Sequence, residues 1–367
     1  MIATTIPYRA IDNRVIISCR VDGHGPYSFI LDTGASFSLT PRVARELGLR
    51  TKAAGRLSGA GNATQTFSTT RVPSLAIGGF IFANVRAVVI DLSEVKNNIG
   101  FPQLDGTIGS ETLVQFRTKI DPDAKRVTLS RVPLPVPPNA TRIPFKIQDG
   151  IIAVRGTIDG IAGPILIDTG DRSSLTLFGP FARRYDFYHR YHAVRNAITG
   201  FGLGGPIYAD VFRLRSLHVL GANLSGVVAR ASRQHAGVFA TGSEAGSIGG
   251  GVLRRFDVVY DYPGGALEVW PSKAAPGPDP YDRAGMWLSR SGAAVVVRDV
   301  SPGGPAAAGG IVVGDTILAL NGRYLRNALL PDVRTQLATL PSGTTVRLIV
   351  RSDGVTKDVP VTLRDRV

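Results

Sequence analysis

The sequence predicts an all-β protein that consists of two similar halves and a smaller C-terminal domain of mixed strands and helices. Three observations support this prediction. The 367 residues suit two or three domains, and 43 glycines and 24 prolines punctuate short runs of branched residues, as is typical of strands joined by turns. A unit of about 125 residues recurs, at 6–131 and again at 143–271. Beyond position 280 the pattern of strands and turns changes.

The two copies of the repeated unit resemble one another at both ends. Residues 6–23, IPYRAIDNRVIISCRVDG, match residues 143–160, IPFKIQDGIIAVRGTIDG, in residue type and order. Near the far end, DGTIGSETLVQFRTKID (105–121) matches AGSIGGGVLRRFDVVYD (245–261). Because the unit occurs twice in tandem, we expect two lobes related by an approximate twofold axis.

Proline-rich linkers separate the predicted units. RVPLPVPPNA (131–140) joins the two copies, and its prolines favour an extended spacer, while PSKAAPGPDP (271–280) follows the second copy. The predicted domains are a first lobe, a second lobe and a C-terminal domain, at 1–131, 141–271 and 280–367.

Each copy carries an aspartate at the end of an apolar run. The two stretches are FILDTGASFSL (29–39) and ILIDTGDRSSL (165–175), and their aspartates are Asp32 and Asp168. A single Asp-Thr-Gly is a common turn, since Asp and Gly are turn residues. Two of them at matching positions need another explanation, because apolar surroundings disfavour an ionised carboxylate.

A twofold axis would bring the two aspartates together. Two close carboxyl groups cannot both ionise at low cost, so Asp32 and Asp168 are expected to share one proton. One carboxyl group is then a base and the other an acid, and a water between them can attack a carbonyl carbon. The residues after each aspartate allow close backbone approach and hydrogen bonds across the axis; they are Thr33, Gly34, Thr169 and Gly170.

These motifs resemble the two lobes of aspartic proteases of the pepsin and retropepsin type, especially the small bacterial two-lobed forms. The resemblance implies an all-β fold of two pseudo-twofold-related lobes, hydrolysis of peptide bonds, and Asp32 and Asp168 as the catalytic pair. It also implies an apolar-apolar-glycine segment packed beside each aspartate in a psi-shaped loop. These segments include Ile108 and Gly109 in the first lobe, and Ile248 and Gly249 in the second.

The same resemblance implies glycine-tipped hairpins, called flaps, that close over a substrate. LSGAGNATQTF (57–67) and ITGFGLGGPIY (198–208) fit this role. The second also matches the dinucleotide-binding pattern G-x-G-x-x-G, but proline and a strand-like segment follow it where that site needs a helix. A flexible flap that excludes water is therefore the preferred interpretation. The glycines assigned to the flap tips are Gly59, Gly61, Gly202 and Gly204.

One position departs from the protease pattern. Three residues after Asp168 stands Asp171, where the family has Ala, Ser or Thr. An ionised Asp171 beside the pair would raise the pKa of the pair. Alternatively, its side chain points outward and pairs with a base such as Arg172, or it marks a lobe that no longer catalyses. The rival hypothesis is a catalytically inactive peptide-binding adaptor on a protease fold.

The segment from 280 to 367 resembles a bacterial PDZ domain, a small α+β barrel. SPGGPAAAGGIVVGDTILALNG (301–322) is its most recognisable stretch. In PDZ domains a glycine-apolar loop offers backbone N–H groups to the terminal carboxylate of a peptide, which adds as a strand. A C-terminal peptide is therefore an expected partner, unless the chain's own segments fill the groove or Trp287 is a core residue. The matching loop consists of Gly285, Met286, Trp287 and Leu288.

Composition bears on the remaining classes of function. With 42 Lys and Arg against 28 Asp and Glu, the net charge of +14 is compatible with an RNA partner, yet the charges are dispersed. The densest patch, FARRYDFYHRYHAVR (181–195), mixes bases with aromatic residues, but solvated basic helix faces are commoner than binding stripes. The five histidines are scattered apart from His189 and His192. We expect a polypeptide substrate, no nucleic acid, no metal and no organic cofactor.

Location and assembly follow from the same reasoning. No apolar stretch is long enough to cross a bilayer, and the N-terminal MIATTIPYRAIDNR is unlike a signal peptide. Proteases with PDZ domains commonly act outside the bacterial cytoplasm, so the resemblance implies a periplasmic or secreted protein, and a cytoplasmic location stays open. Because both aspartates lie in one chain, we expect the site to need no oligomer.

Overall fold

The computed structural model describes residues 1–273 and 277–367. Strands dominate these ranges, and the helices are only four to ten residues long, so the prediction of an all-β protein is confirmed. The second predicted linker, 271–280, includes three positions that lie outside the described residues.

The first lobe is built on one large sheet with short helices at its edges. Eight of the strands of this lobe form the sheet. The strands are β1 (Ala3–Pro7), β2 (Arg9–Ile11), β3 (Arg14–Val21), β4 (His24–Leu31), β5 (Ser38–Leu39), β6 (Lys52–Ser58), β7 (Thr64–Ile77), β8 (Phe80–Val89), β9 (Leu104–Ile108), β10 (Arg117–Asp121) and β11 (Arg126–Ser130). The helices are α1 (Pro41–Glu46), α2 (Ser93–Ile99) and α3 (Ser110–Leu113).

The second lobe repeats the topology of the first. Its strands are β12 (Thr141–Pro144), β13 (Lys146–Gln148), β14 (Ile151–Ile158), β15 (Ile161–Ile167), β16 (Leu175–Leu177), β17 (Val194–Gly202), β18 (Gly205–Arg213), β19 (Leu217–Val219), β20 (Ala222–Leu224), β21 (Val228–Ser232), β22 (Gly246–Ile248), β23 (Phe256–Asp261) and β24 (Ala266–Pro271). Its helices are α4 (Gly179–Arg184) and α5 (Gly250–Leu253). The run β14-β15-β22-β16-β21-β18-β17 matches β3-β4-β9-β5-β8-β7-β6, so the sequence repeat is also a structural repeat.

A further sheet joins the two lobes. Its order is β1-β11-β10-β23-β24-β12, so each lobe contributes three strands. The equivalent strands β10 and β23 meet at its centre as an antiparallel pair, from Arg117 opposite Asp261 to Ile120 opposite Val258. Antiparallel pairing of equivalent strands is what an approximate twofold axis requires. One cluster of buried apolar side chains runs through both lobes.

The C-terminal domain forms its own sheet around its own core. Its strands are β25 (Met286–Ser291), β26 (Ala294–Val300), β27 (Thr316–Leu320), β28 (Arg323–Tyr324), β29 (Thr345–Ser352) and β30 (Val355–Thr362). Its helices are α6 (Pro305–Ala308) and α7 (Leu330–Thr339). The sheet has the order β25-β26-β27-β29-β30, with β28 beside β27, and a separate apolar cluster lies beneath it.

The positions of β4 and β15 explain why an apolar run precedes each aspartate. Both strands lie in the interior of their sheets, where they are paired on both sides. Residues 29–31 and 165–167 are all buried. Strands covered on both faces carry continuous apolar runs instead of alternating ones. The next residue in each lobe, Asp32 or Asp168, is only half-buried and lies where the two lobes meet.

Candidate active site

Each aspartate is positioned by a short parallel strand pair at the centre of its lobe. Leu31 pairs with Ile108 and Ile167 pairs with Ile248. The backbone N–H of Asp32 then donates to the Ile108 carbonyl at 2.9 Å, and that of Asp168 donates to the Ile248 carbonyl at 3.0 Å. The psi-shaped loop expected beside each aspartate is therefore present in both lobes.

The glycines that follow Ile108 and Ile248 allow this packing. A Cβ at Gly109 would overlap the Ala35 carbonyl, and a Cβ at Gly249 would overlap the Asp171 carbonyl. Both positions carry ordinary backbone angles, so the requirement for glycine comes from close approach and not from conformation.

Two threonines tie the lobes together beneath the carboxyl groups. The N–H of Thr33 donates to Thr169 Oγ1 at 3.0 Å, and the N–H of Thr169 donates to Thr33 Oγ1 at 3.1 Å. Each hydroxyl then donates onward to a carbonyl of the opposite lobe, Thr33 to Ile167 at 2.8 Å and Thr169 to Leu31 at 2.6 Å. Both side chains are buried, so this reciprocal network fixes the two loops relative to one another.

The two carboxyl groups face one another across this network. A Cβ at Gly34 would lie 3.0 Å from the Asp168 carboxyl carbon, and a Cβ at Gly170 would overlap the Asp32 carboxylate. Each carboxylate also accepts from the N–H two residues later, Gly34 to Asp32 and Gly170 to Asp168, both at 2.9 Å. Only glycine can stand at either position without displacing a carboxyl group.

Burial raises the pKa of both carboxyl groups. The pKa of Asp168 stands well above its ordinary value, first because of burial and then because of the charges of Asp32 and Asp171. Burial also raises the pKa of Asp32, although the Gly34 N–H and Arg14 partly offset it. A pair of this kind keeps one proton at a pH where isolated carboxyl groups are ionised.

The departure at Asp171 has a local explanation. Its buried carboxylate accepts from Arg230 Nη2 at 2.8 Å, from the Ser173 hydroxyl at 2.7 Å and from the Thr176 hydroxyl at 3.1 Å. Burial alone would raise the pKa of Asp171, but Arg230 and the Ser173 hydrogen bonds outweigh burial and hold that pKa below its ordinary value. The carboxylate is therefore ionised, and it raises the pKa of the pair.

The base suggested from the sequence was the wrong one. Arg172 does not pair with Asp171; its Nε donates to Asp12 at 2.8 Å. Arg230 lies 59 residues from Asp171 on β21, next to β16 in the sheet, and no local sequence signal links the two.

The two flap tips touch one another. The hairpin of β6 and β7 meets that of β17 and β18, with the Gly61 N–H donating to the Leu203 carbonyl at 2.8 Å and the Ala63 N–H to the Gly204 carbonyl at 3.0 Å. All four glycines assigned to the tips lie at this contact, because a Cβ on any of them would overlap the opposite tip. The structure therefore shows the hairpins in a closed arrangement.

The groove between β25 and α7 of the C-terminal domain faces the lobes. The N–H groups of Gly285 and Met286, which the sequence assigns to a peptide carboxylate, donate to Asp282 Oδ2 at 2.6 and 3.2 Å. Trp287 is half-buried and is not a core residue of its domain; its Nε1 donates to Asn98 Oδ1 at 2.9 Å. Helix α2 of the first lobe thus contacts both β25 and α7, the two walls of the groove. A peptide that uses these N–H groups must displace Asp282.

Comparison with known proteins agrees with this geometry. Residues 17–112 match the family model described as aspartyl protease, and residues 281–363 match the model described as PDZ domain. These two segments are therefore similar to an aspartyl protease and to a PDZ domain. The family match ends within the first lobe, and the second lobe resembles the first in strand order.

Two of the solved structures that match the chain are similar to parts of it. A retropepsin-like aspartic protease from Rickettsia conorii is 22% identical with a TM-score of 0.26, over 35% of this chain and 90% of that one. A photosystem II D1 C-terminal processing protease is 28% identical with a TM-score of 0.22, over 23% of each chain. The second likeness thus spans less than a quarter of that protease. No curated protein matches the chain.

The basic segment 181–195 does not offer its aromatic rings to a partner. Phe181, Phe187 and Tyr188 are buried in the second protease lobe, and the Tyr191 ring stacks on Phe212 with centroids 4.4 Å apart. The rings that RNA bases would stack on are therefore part of the core. Helix α4 ends at Arg184, so the segment does not form the continuous basic helix that its composition favours.

Two features are absent from the residues that the structure describes. None of their helices is long and apolar enough to span a bilayer. Among them, no three His, Cys, Asp or Glu side chains are grouped as ligands of a metal ion.

Proposed function

We propose that the protein is an aspartic endopeptidase, in which Asp32 and Asp168 activate a water molecule to hydrolyse a peptide bond. The observation that carries this proposal is the reciprocal pair of hydrogen bonds between Thr33 and Thr169. It joins the two lobes at the residues next to the aspartates, where each carboxyl group lies against a glycine of the other lobe.

The chemistry follows from one shared proton. The ionised carboxylate takes a proton from the water as the water oxygen attacks the carbonyl carbon, and the protonated carboxyl group gives its proton to the carbonyl oxygen. The tetrahedral intermediate collapses as the C–N bond breaks: the amine nitrogen receives the proton held by the pair, and one hydroxyl of the intermediate returns a proton to the pair, which restores the shared proton. The raised pKa values of Asp32 and Asp168 favour one proton held by the pair as a whole.

A polypeptide substrate would lie between the carboxyl groups and the flaps. Because the tips are hydrogen-bonded to one another in the closed arrangement, they must part to admit an extended chain and can then close over it. Closure excludes water other than the nucleophile.

The test is proteolysis of a denatured protein by the full-length chain. Asp32→Asn and Asp168→Asn should each lower kcat by about 10³-fold or more, because the pair then lacks its base or its acid. Asp149→Asn is the matched control, since Asp149 is an exposed turn residue with positive φ, which Asn also accepts. It should cleave like the wild type.

Two outcomes oppose the proposal. Equal cleavage by the wild type and Asp32→Asn would remove the pair from the mechanism. A wild type that binds peptides but cleaves none from acidic to neutral pH would support the inactive adaptor instead.

A further inference from the structure

A cavity of about 530 Å³ lies where the two lobes and the PDZ domain meet. The first lobe contributes Asp12 and Arg14, the second contributes Arg172, and the PDZ domain contributes Trp287 and Arg334. Thr169 and Ser173 of the candidate catalytic loop also line it. Residues of the loop that follows Asp168 and residues of β25 and α7 therefore line the same cavity.

Positive charge exceeds negative charge at the centre of this cavity. The buried carboxylate of Asp12 lies 2.7 Å from Arg14 Nη1, 2.8 Å from Arg172 Nε and 3.8 Å from Arg334 Nη1. One carboxylate is thus the counter-ion of three guanidinium groups. Leaving charge uncompensated in a buried position is costly, so a second anion would be stabilised here.

Three other carboxylates of the lining have partners of their own. Asp279 pairs with Arg255 at 2.6 Å, and Asp282 accepts from the Gly285 N–H at 2.6 Å. Asp299 accepts from the Ile198 N–H at 2.9 Å. Among the described residues, Asp12 is therefore the only carboxylate within ion-pair distance of Arg14, Arg172 and Arg334.

Donors without an acceptor cluster at Arg334. Its Nε and Nη1 and the nearby Asn98 Nδ2 are buried with no hydrogen-bond partner, whereas Arg334 Nη2 donates to the carbonyls of Leu288 and Asn98. Buried polar groups are nearly always paired, so three orphan donors indicate a missing acceptor. Burial lowers the pKa of Arg334 to about 9, and a bound anion would restore it.

We propose that this cavity is a subsite for a carboxylate of the bound peptide, held by Arg334 and Arg172 over the indole of Trp287. The guanidinium carbons lie 4.4 Å (Arg334) and 5.2 Å (Arg172) from the Trp287 ring centroid, so the ring holds both groups in place. A guanidinium group binds a carboxylate through two parallel hydrogen bonds, which matches free donors on one side chain. The site differs from the N–H groups of Gly285 and Met286, which Asp282 occupies.

The inference deepens the proposed function, because the carboxylate would belong to a polypeptide in the cleft. It predicts a preference for peptides in which an acidic side chain or a free C-terminus reaches the cavity when the peptide lies in the cleft. Both sources present the same carboxylate chemistry, and the experiment must separate them.

The experiment measures binding to the full-length Asp32→Asn variant, so that no cleavage is needed. The probes are acetylated, amidated alanine octapeptides with one Glu at each position in turn, the same set with Gln, and the all-alanine octapeptide with a free or amidated C-terminus. Trp287 fluorescence reports the site, and Trp287→Phe separates its signal from that of Trp270. At least one carboxylate-bearing probe should bind about tenfold or more tightly than its neutral counterpart. Glu against Gln identifies a side-chain source, and free against amidated identifies the C-terminus.

Variants of the arginine complete the test. Arg334→Gln should abolish the preference for carboxylate, and Arg334→Lys, which keeps the charge and is the milder change for folding, should retain part of it. Arg351→Gln removes an equal charge from an exposed position of the PDZ domain and should change nothing. Equal binding of charged and neutral probes, or a preference that survives Arg334→Gln, would overturn the inference. Carboxylate-selective binding with no cleavage by the wild type would overturn only the proposed function.

Discussion

At the scale of single residues, the candidate site depends on a few side chains whose surroundings fix both position and charge. Thr33 and Thr169 hold the two loops, and Gly34 and Gly170 leave room for the carboxyl groups. Asp171 is the residue that the sequence left ambiguous. In the structure it is an ionised member of a buried ion pair that acts on the catalytic pair through its charge.

Removing a threonine hydroxyl should weaken the joint between the lobes. Thr169→Ala deletes an acceptor for the Thr33 N–H and a donor to the Leu31 carbonyl, leaving both buried groups unpaired. We expect a loss of about 2 kcal/mol in the free energy of unfolding, measured by urea denaturation. Thr169→Ser keeps the hydroxyl and should stay within about 1 kcal/mol of the wild type. Equal losses in both variants would assign the effect to the methyl group.

The charge at position 171 should set the upper pH limit of activity. An acid in the pair must hold its proton, so activity falls as pH rises through the pKa of that carboxyl group. Asp171→Asn removes a negative charge that raises this pKa and leaves Arg230 uncompensated, and both effects lower the pKa of the pair. The upper limb of the pH profile of kcat/KM should therefore move to lower pH.

The control for this shift is Asp353→Asn, at an exposed turn far from the pair. It should leave the profile in place. An upper limb of Asp171→Asn that stays fixed, or moves to higher pH, would contradict the assigned role of Asp171.

At the scale of elements, the same psi-shaped arrangement is built twice from short strands. The parallel partners β9 and β22 have only five and three residues, yet they fix the ends of β4 and β15. The flaps are longer hairpins whose tips meet. Their contact involves backbone groups, so it depends on shape more than on side-chain identity.

A side chain at one flap tip should prevent this contact. The Cβ of Gly204→Ala would overlap the Ala63 carbonyl in the opposite tip, and we expect kcat/KM to fall by about tenfold or more with the protease lobes still folded. Gly205→Ala is the matched control, because Gly205 also has positive φ but no atom near its Cβ position. Equal losses in the two variants would point to backbone strain and not to the contact between the tips.

At the scale of the whole molecule, the two lobes and the PDZ domain meet around one cavity. The sheet of β1, β11, β10, β23, β24 and β12 joins the lobes, and the PDZ domain contacts both of them. It contacts the first lobe at Asn98 and the second at Ile198, whose N–H donates to Asp299 at 2.9 Å. Because Ile198 lies on β17, a strand of the second flap, the PDZ domain is directly connected to an element that moves in the proposed function.

Much of the candidate site could be predicted because its signals are local. Asp32 and Asp168 follow apolar runs, and Ile108 and Ile248 lie at matching positions of the repeat, so pattern alone pairs them. Arg230 could not be predicted in this way. Its partner is fixed by the register of β16 and β21, which are parallel strands far apart in the chain.

The sequence by itself determined the duplication, the two Asp-Thr-Gly loops and the resemblance of the C-terminal segment to a PDZ domain, because repeats and short motifs can be read from neighbouring residues. Only the tertiary structure decided that Arg230 pairs with Asp171, that Asn98 lies against the groove between β25 and α7, and that Arg172 and Arg334 join Arg14 beside Asp12. Except for the contact of Arg14 with Asp12, which lies within one hairpin, these contacts join residues from different domains or distant strands. Their energies depend on burial and on distances of a few ångströms, which arise only when the chain has folded.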